Sequence, residues 1–159
     1  MNPRIELIRA KAVVGKRITM RFSDYKTGEL WRSFMPERKK ITNFLNSDLI
    51  SMAIYKPNFF DSYDPNNKFE KWACVEVNDF KQIPDGLETY SIPGGLYAVF
   101  HYKGLNTDNS IFDYIFRTWL PSSSYTLDSR PHFELLGALY KNNDPESEED
   151  IYIPIMAKD

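Results

Sequence analysis

The pattern of hydrophobic and polar residues divides the first half of the chain into a strand, a helix and two further strands. Apolar residues alternate with polar ones over 18–22, as in a strand with one buried face. They recur at helical spacing over 30–35, and Pro36 then favours a break, since proline disrupts a helix interior. Two more apolar runs, 50–55 and 71–77, predict strands, and the polar stretch between them predicts a hairpin loop.

The second half of the chain repeats this order of elements. Residues 30–36 align with residues 115–121, and residues 53–56 align with residues 138–141 at the same offset. The predicted elements of this half are strands at 87–92, 96–102, 132–140 and 150–156 and a helix at 111–120.

A repeat of this length is typical of folds that are built from two copies of one supersecondary unit. We therefore predict an α+β fold. A single domain over 1–159 would consist of two strand–helix–strand–strand modules, at about 1–80 and 81–159. The modules would form one antiparallel sheet with helices on one face, and a ligand cleft would lie between the modules, because such seams often hold ligands.

Composition narrows the class of protein. The chain has 159 residues, a hydrophobic content of 42% and an aromatic content of 15%, which is enough for one core and for an aromatic pocket. A net charge of −2 without a basic cluster argues against direct nucleic-acid binding. Cys74 is the single cysteine, and neither histidine has metal-ligand spacing, so we predict no disulfide, metal or cofactor. We see neither a signal peptide nor a membrane span, and we expect a cytoplasmic protein.

Four segments of the second half occur in the order and spacing of a known family. They begin with Ile-Pro-Gly-Gly-Leu-Tyr at 92–97 and continue through 119–125, 130–134 and 149–155. These segments resemble the GyrI-like small-molecule-binding domains, which are similar to the effector-binding domains of AraC-type and MerR-type multidrug regulators. The resemblance implies tandem modules around a cleft in which an acidic residue and aromatic rings hold lipophilic cations. Because Ile18 already lies in the first predicted strand, we expect a free-standing module without a helix-turn-helix.

Glu134 is the strongest candidate for the acidic residue. Both faces of the predicted strand 132–140 are mostly apolar, so its carboxylate would have hydrophobic neighbours. Such burial raises a carboxyl pKa unless a cation compensates, which suits a receptor for organic cations and equally a general base. The residues alone also allow a solvated glutamate or one paired with Arg130. The resemblance favours the pocket, since its Phe-Glu glutamate matches Glu134.

Six further residues are candidate walls of the cleft. Alternation over 71–77 places Trp72 and Glu76 on one face, where they would either hold a cation or lie at the sheet edge. Trp119 has the helical spacing of a core residue, but the resemblance implies an aromatic ring near this point of the cleft. Tyrosine combines an apolar ring with a hydroxyl and suits a pocket wall. The tyrosines concerned are Tyr55, Tyr97 and Tyr140.

Three functions stay open on the sequence. The favoured one is a module that senses or sequesters lipophilic, cationic aromatic small molecules, with Glu134 as the counter-ion. The alternative is a hydrolase of strained cyclopropane-type electrophilic toxins, in which Glu134 activates water and a tyrosine stabilises the developing anion. A protein–protein inhibitor of the DNA gyrase type has less support.

Overall fold

The computed structural model describes residues 1–159, which form nine strands and two helical segments. The strands are β1 Arg4–Ile8, β2 Lys11–Met20, β3 Leu49–Ile54, β4 Phe69–Glu76, β5 Glu88–Ile92, β6 Gly95–Lys103, β7 Tyr125–Leu127, β8 His132–Leu136 and β9 Glu148–Ala157. The first helix is α1, Thr27–Arg38. The second helix, 110–122, starts as α2 Ser110–Tyr114, passes through a π-helical turn at Ile115–Trp119 and ends as α3 Leu120–Ser122.

All strand pairs are antiparallel, and eight strands follow one another in the order β1-β6-β9-β8-β3-β4-β2-β5, with β7 paired to β9. The two halves of the chain contribute the same arrangement, β2-β4-β3 from the first and β6-β9-β8 from the second. They meet at the β3–β8 pair, where Ser51 lies opposite Glu134. This symmetry and the antiparallel sheet confirm the predicted α+β fold of two modules.

The two ends of the sheet curl towards each other. β1 and β2 lie near opposite ends of the strand order, yet only Arg9 and Ala10 connect them. Pro93 and Gly94 make the equivalent connection between β5 and β6. The two connections touch, since a Cβ atom at Gly94 would lie 2.8 Å from the carbonyl oxygen of Ile8. Only glycine permits this close approach of two backbones.

The curl buries one face of the sheet without any helix. Strands from both ends and from the centre enclose a cluster that we call the inner core. Its buried members are Val13, Ile50, Met52, Trp72, Cys74, Ile92, Tyr97, Val99 and Phe133. The opposite face carries both helices: α1 packs on β2 and β4, and the second helix packs on the apolar residues of β6 and β9. Both helices therefore lie on one face, as predicted.

Several boundaries differ from the predicted ones. β2 begins at Lys11, seven residues before the predicted start. The prediction missed this part of the strand because Val13 and Val14 are buried on opposite faces, so apolar and polar residues do not alternate there. α1 continues through Pro36 to Arg38, since a proline this close to the helix end removes only a bond of the last turn. β8 stops at Leu136, because a turn follows in which the Tyr140 N–H donates to the Gly137 carbonyl. β1 and β7 were not among the predicted strands.

Candidate functional site

The helices pack on β2, β4, β6 and β9, which leaves the central strands β3 and β8 between them, and we call this part of the helix-covered face the cleft. Its floor is the central pair β3–β8, where Ser51 lies opposite Glu134 and Ala53 lies opposite His132. Lys71 on β4 pairs with Ala53 from the other side. Ser51 and Ala53 have short side chains, so the longer side chains of Glu134, His132 and Lys71 dominate the floor. We call this set of five residues the cleft floor.

A second carboxyl group, that of Glu149, lies beside Glu134. Glu149 is on β9, the neighbour of β8, and shares the helix-covered face with Ile151 because residues two apart point the same way. It is only 8% exposed, and its Oε2 atom has no hydrogen-bond partner. Burial first and the charge of the nearby Glu134 second raise the pKa of Glu149 above its ordinary value, while Lys71 opposes the shift. We call the half-buried Glu134 and the buried Glu149 the carboxyl pair.

Lys71 and His132 add the nitrogen groups of the floor. Lys71 is 9% exposed and has neither a hydrogen-bond partner nor an acidic group within 4.0 Å of its ammonium. Burial and the positive charge of Lys71 lower the pKa of His132 to about 3. The imidazole is therefore neutral near pH 7, and it serves as an aromatic surface with hydrogen-bonding nitrogens.

Tyr55 and Tyr140, which the repeat pairs with each other, flank the carboxyl pair from the two modules. Burial first and the charge of Glu134 second raise the pKa of the Tyr55 hydroxyl. Burial and then the charges of Glu149 and Glu134 raise the pKa of Tyr140 to about 12. Both hydroxyl groups stay protonated at neutral pH and are therefore O–H donors.

Aromatic rings close one end of the cleft. The rings of Phe60, His132 and Phe116 of the second helix lie nearly parallel in a triangle. The Phe60 centroid is 5.4 Å from that of His132 and 5.2 Å from that of Phe116, and the His132 and Phe116 centroids are 6.0 Å apart. Tyr55 meets the same His132 ring edge-on at 4.9 Å. Beside these rings opens a cavity of about 340 Å³. Its lining includes Tyr55, Phe60, Asp61, Arg130 and His132. The aromatic end of the cleft therefore borders this cavity through Tyr55, Phe60 and His132, and Phe60 is 40% exposed.

Residues 4–155 match the sequence profile of Cass2, the integron-associated effector-binding proteins. The chain belongs to the Cass2 family. This assignment confirms the resemblance to GyrI-like small-molecule-binding domains. It also places the protein among effector-binding domains, the class to which the ligand modules of multidrug regulators belong.

Relatives of this Cass2-family chain include transcriptional regulators. The regulator BrlR of Pseudomonas aeruginosa is 27% identical over 157 residues, which are 98% of this chain and 56% of BrlR. The chain thus spans little more than half the length of that relative. Among solved structures, the EcmrR C-terminal domain superposes with a TM-score of 0.71 at 16% identity and covers 98% of this chain and 97% of that domain. SAV2435 bound to tetraphenylphosphonium superposes with a TM-score of 0.66 at 14% identity, over 98% and 94% of the two chains.

No helix of this protein has both the length and the apolar character that a membrane crossing requires.

The structure brings three of the seven predicted site residues together, namely Glu134, Tyr55 and Tyr140. Trp72 and Tyr97 are 2% and 0% exposed and belong to the inner core, on the opposite face of the sheet. The predicted alternation of β4 is correct, but the cleft lies on the face of Lys71. The curl of the sheet covers the other face, which alternation by itself does not reveal.

The two remaining predicted residues also lie away from the cleft floor. Glu76 is on the face of Trp72, where Lys11 Nζ lies 3.3 Å from its carboxylate. Trp119 meets Phe100 edge-on at 5.2 Å and so attaches the second helix to β6. Four predicted site residues therefore lie away from Glu134, namely Trp72, Tyr97, Glu76 and Trp119.

Sequence reasoning missed Glu149, Lys71 and the stacked rings of Phe60, Phe116 and His132. For Glu149 and Lys71 the sequence contained a signal that could have identified them. Glu149 is in phase with Ile151, Ile153 and Ile155, and Lys71 is in phase with Ala73 and Val75, so each charged group continues an apolar face. The stacked rings come from distant segments, and only the tertiary structure brings them together.

Proposed function

We propose that this protein binds lipophilic, cationic aromatic small molecules in the cleft between its helices and so senses or sequesters a drug or toxin. The observation that carries the proposal is the carboxyl pair, in which the buried Glu149 lies beside the half-buried Glu134. Two carboxyl groups held together in an apolar setting repel each other when both are ionised. A bound cation relieves that repulsion, and the unpartnered Oε2 atom of Glu149 gains a partner.

The surroundings of the pair suit an aromatic guest. Phe60, Phe116 and His132 form a cluster of nearly parallel rings, and Tyr55 lies against His132. A cation against a desolvated aromatic face gains about 2 kcal/mol, compared with roughly 0.5 kcal/mol when the contact is exposed to water. Rings and carboxylates together therefore favour an organic cation over a hydrated inorganic one.

The class of ligand agrees with one of the structural relatives. SAV2435 was solved with tetraphenylphosphonium, a cation whose charge is surrounded by four aromatic rings. That protein shares the fold of this one along nearly its whole length. We take this as support for the chemical class of the ligand, and the residues of the present cleft provide the independent physical reason.

The proposal is tested by titrating the protein with tetraphenylphosphonium in a calorimeter. Glu134→Gln keeps the shape of the side chain and removes its charge, and we expect the affinity to fall at least about tenfold, or about 1.4 kcal/mol. Glu148→Gln is the matched control, because Glu148 is on the neighbouring strand β9 and pairs with His101 on the opposite face. Equal affinities of the wild type and Glu134→Gln, with Glu134→Gln still folded, contradict the proposal.

A further inference from the structure

Lys71 is the feature of the cleft that a receptor for simple cations does not explain. Its side chain is on the cleft floor, and it is nine-tenths buried. No acidic group of the chain lies within 4.0 Å of its ammonium, and the ammonium makes no hydrogen bond within the chain. The Nζ atom is not among the fully buried atoms, so it keeps contact with solvent although the rest of the side chain is buried. The position therefore offers an unpaired ammonium to an anion from outside the chain.

Lys71 lies on the same face of the sheet as the carboxyl pair. Lys71 is on β4 and pairs with Ala53, which has a short side chain. Its charge acts on His132 of β8 and on Glu149 of β9, both beyond β3 in the strand order. Lys71 and His132 belong to the same row across the sheet, next to the aromatic end, whereas Glu134 and Glu149 lie further along the strands. The cleft therefore has a positive and a negative part, separated along its length.

Opposite charges at two ends of one cleft set a condition for the ligand. A simple cation gains from the carboxyl pair, but it also meets the repulsion of Lys71. A molecule with both signs satisfies both ends, and it keeps its aromatic body against the stacked rings. Such a ligand also leaves neither buried charge without a partner.

We propose that the preferred ligands are amphoteric aromatic compounds, whose carboxylate pairs with Lys71 while their basic or cationic end meets Glu134 and Glu149. This inference rests on the proposed function, because it concerns the same cleft. It narrows the ligand class from lipophilic cations to aromatic molecules that carry an acidic and a basic group.

The test uses two fluorescent dyes with the same xanthene ring system. Rhodamine 110 carries a free carboxylate, and rhodamine 123 is its methyl ester and a simple cation. Dissociation constants from fluorescence anisotropy are compared for the wild type and for Lys71→Met, which keeps the length of the side chain without the charge. We expect Lys71→Met to bind rhodamine 110 at least tenfold more weakly and rhodamine 123 equally well or more tightly. Lys71→Arg should restore the preference of the wild type.

Two controls separate the possible failures. Lys68→Met removes an exposed lysine just before β4 and should leave both dissociation constants unchanged. Tetraphenylphosphonium, measured with the same proteins, carries no carboxylate, so its binding tests the proposed function without the amphoteric ligand class. If it binds but Lys71→Met changes the affinities for the two dyes by the same factor, or neither dye binds, the amphoteric ligand class is overturned and the proposed function stands. If no probe binds, both are overturned.

Discussion

Replacing His132 by phenylalanine should make the stability of the protein less sensitive to acid between about pH 7.5 and pH 5. The pKa of His132 is lowered to about 3 in the folded protein, against an ordinary value of 6.5, because burial and Lys71 disfavour its charged form. The folded state therefore binds fewer protons than the unfolded chain below pH 6.5. The free energy of unfolding is therefore not reduced by His132 above about pH 6.5, and it falls as the pH drops below that value.

The magnitude follows from the two pKa values. Each pH unit below 6.5 costs up to about 1.4 kcal/mol until the folded value near 3 is reached. At pH 5 the expected loss is about 2 kcal/mol, which corresponds to a fall in Tm of roughly 4–8 °C for a chain of this size. Phenylalanine keeps a flat ring for Phe60 and Phe116 to stack on, so His132→Phe removes the titration and leaves the packing in place.

The assay is urea denaturation followed by circular dichroism at a series of pH values. The slope of the unfolding free energy against pH is compared for wild type and His132→Phe. His101→Gln is the control with the opposite sign, because hydrogen bonds to Glu148 and Asp150 raise the pKa of His101 and so favour the folded state at low pH. An identical slope for wild type and His132→Phe refutes the reasoning about the buried imidazole.

The remaining predictions concern the carboxyl pair and the crossing of the two connections. Affinity for tetraphenylphosphonium should rise between about pH 5 and pH 9, because the raised pKa of Glu149 delays the appearance of its negative charge. Calorimetry should show this rise in the wild type and a weaker dependence of affinity on pH in Glu149→Gln. A wild-type affinity that does not change with pH would rule out a role of Glu149 ionisation in binding. Gly94→Ala should lower the free energy of unfolding by about 1–3 kcal/mol, since its Cβ atom would lie 2.8 Å from the Ile8 backbone. Gly137→Ala, whose Cβ atom would lie no closer than 3.4 Å to its neighbours, should change it little, and equal effects of the two substitutions would disprove the close approach.

Prediction from the sequence succeeded where the signal is local. The alternation over 71–77 correctly separates Trp72 from Ala73, and the matching segments correctly place two helices in equivalent positions of two modules. Alternation failed over the start of β2, because both of its faces are buried there. Alternation also led to the wrong surroundings for Trp72. The face of β4 that carries Trp72 was predicted to lie outside the core, but the curl of the sheet encloses this face in the inner core.

The sequence by itself determined the order of the elements, the duplication and the presence of a glutamate on a largely apolar strand. Each of these depends on the spacing of residues along the chain, which the backbone periods of 2 and 3.6 translate directly into faces. The tertiary structure alone decided that Glu149 lies beside Glu134, and that Lys71 rather than Trp72 faces them. The reason is that strand neighbours and the curl of the sheet arise from contacts between residues far apart in the chain, and alternation along one strand carries no record of them.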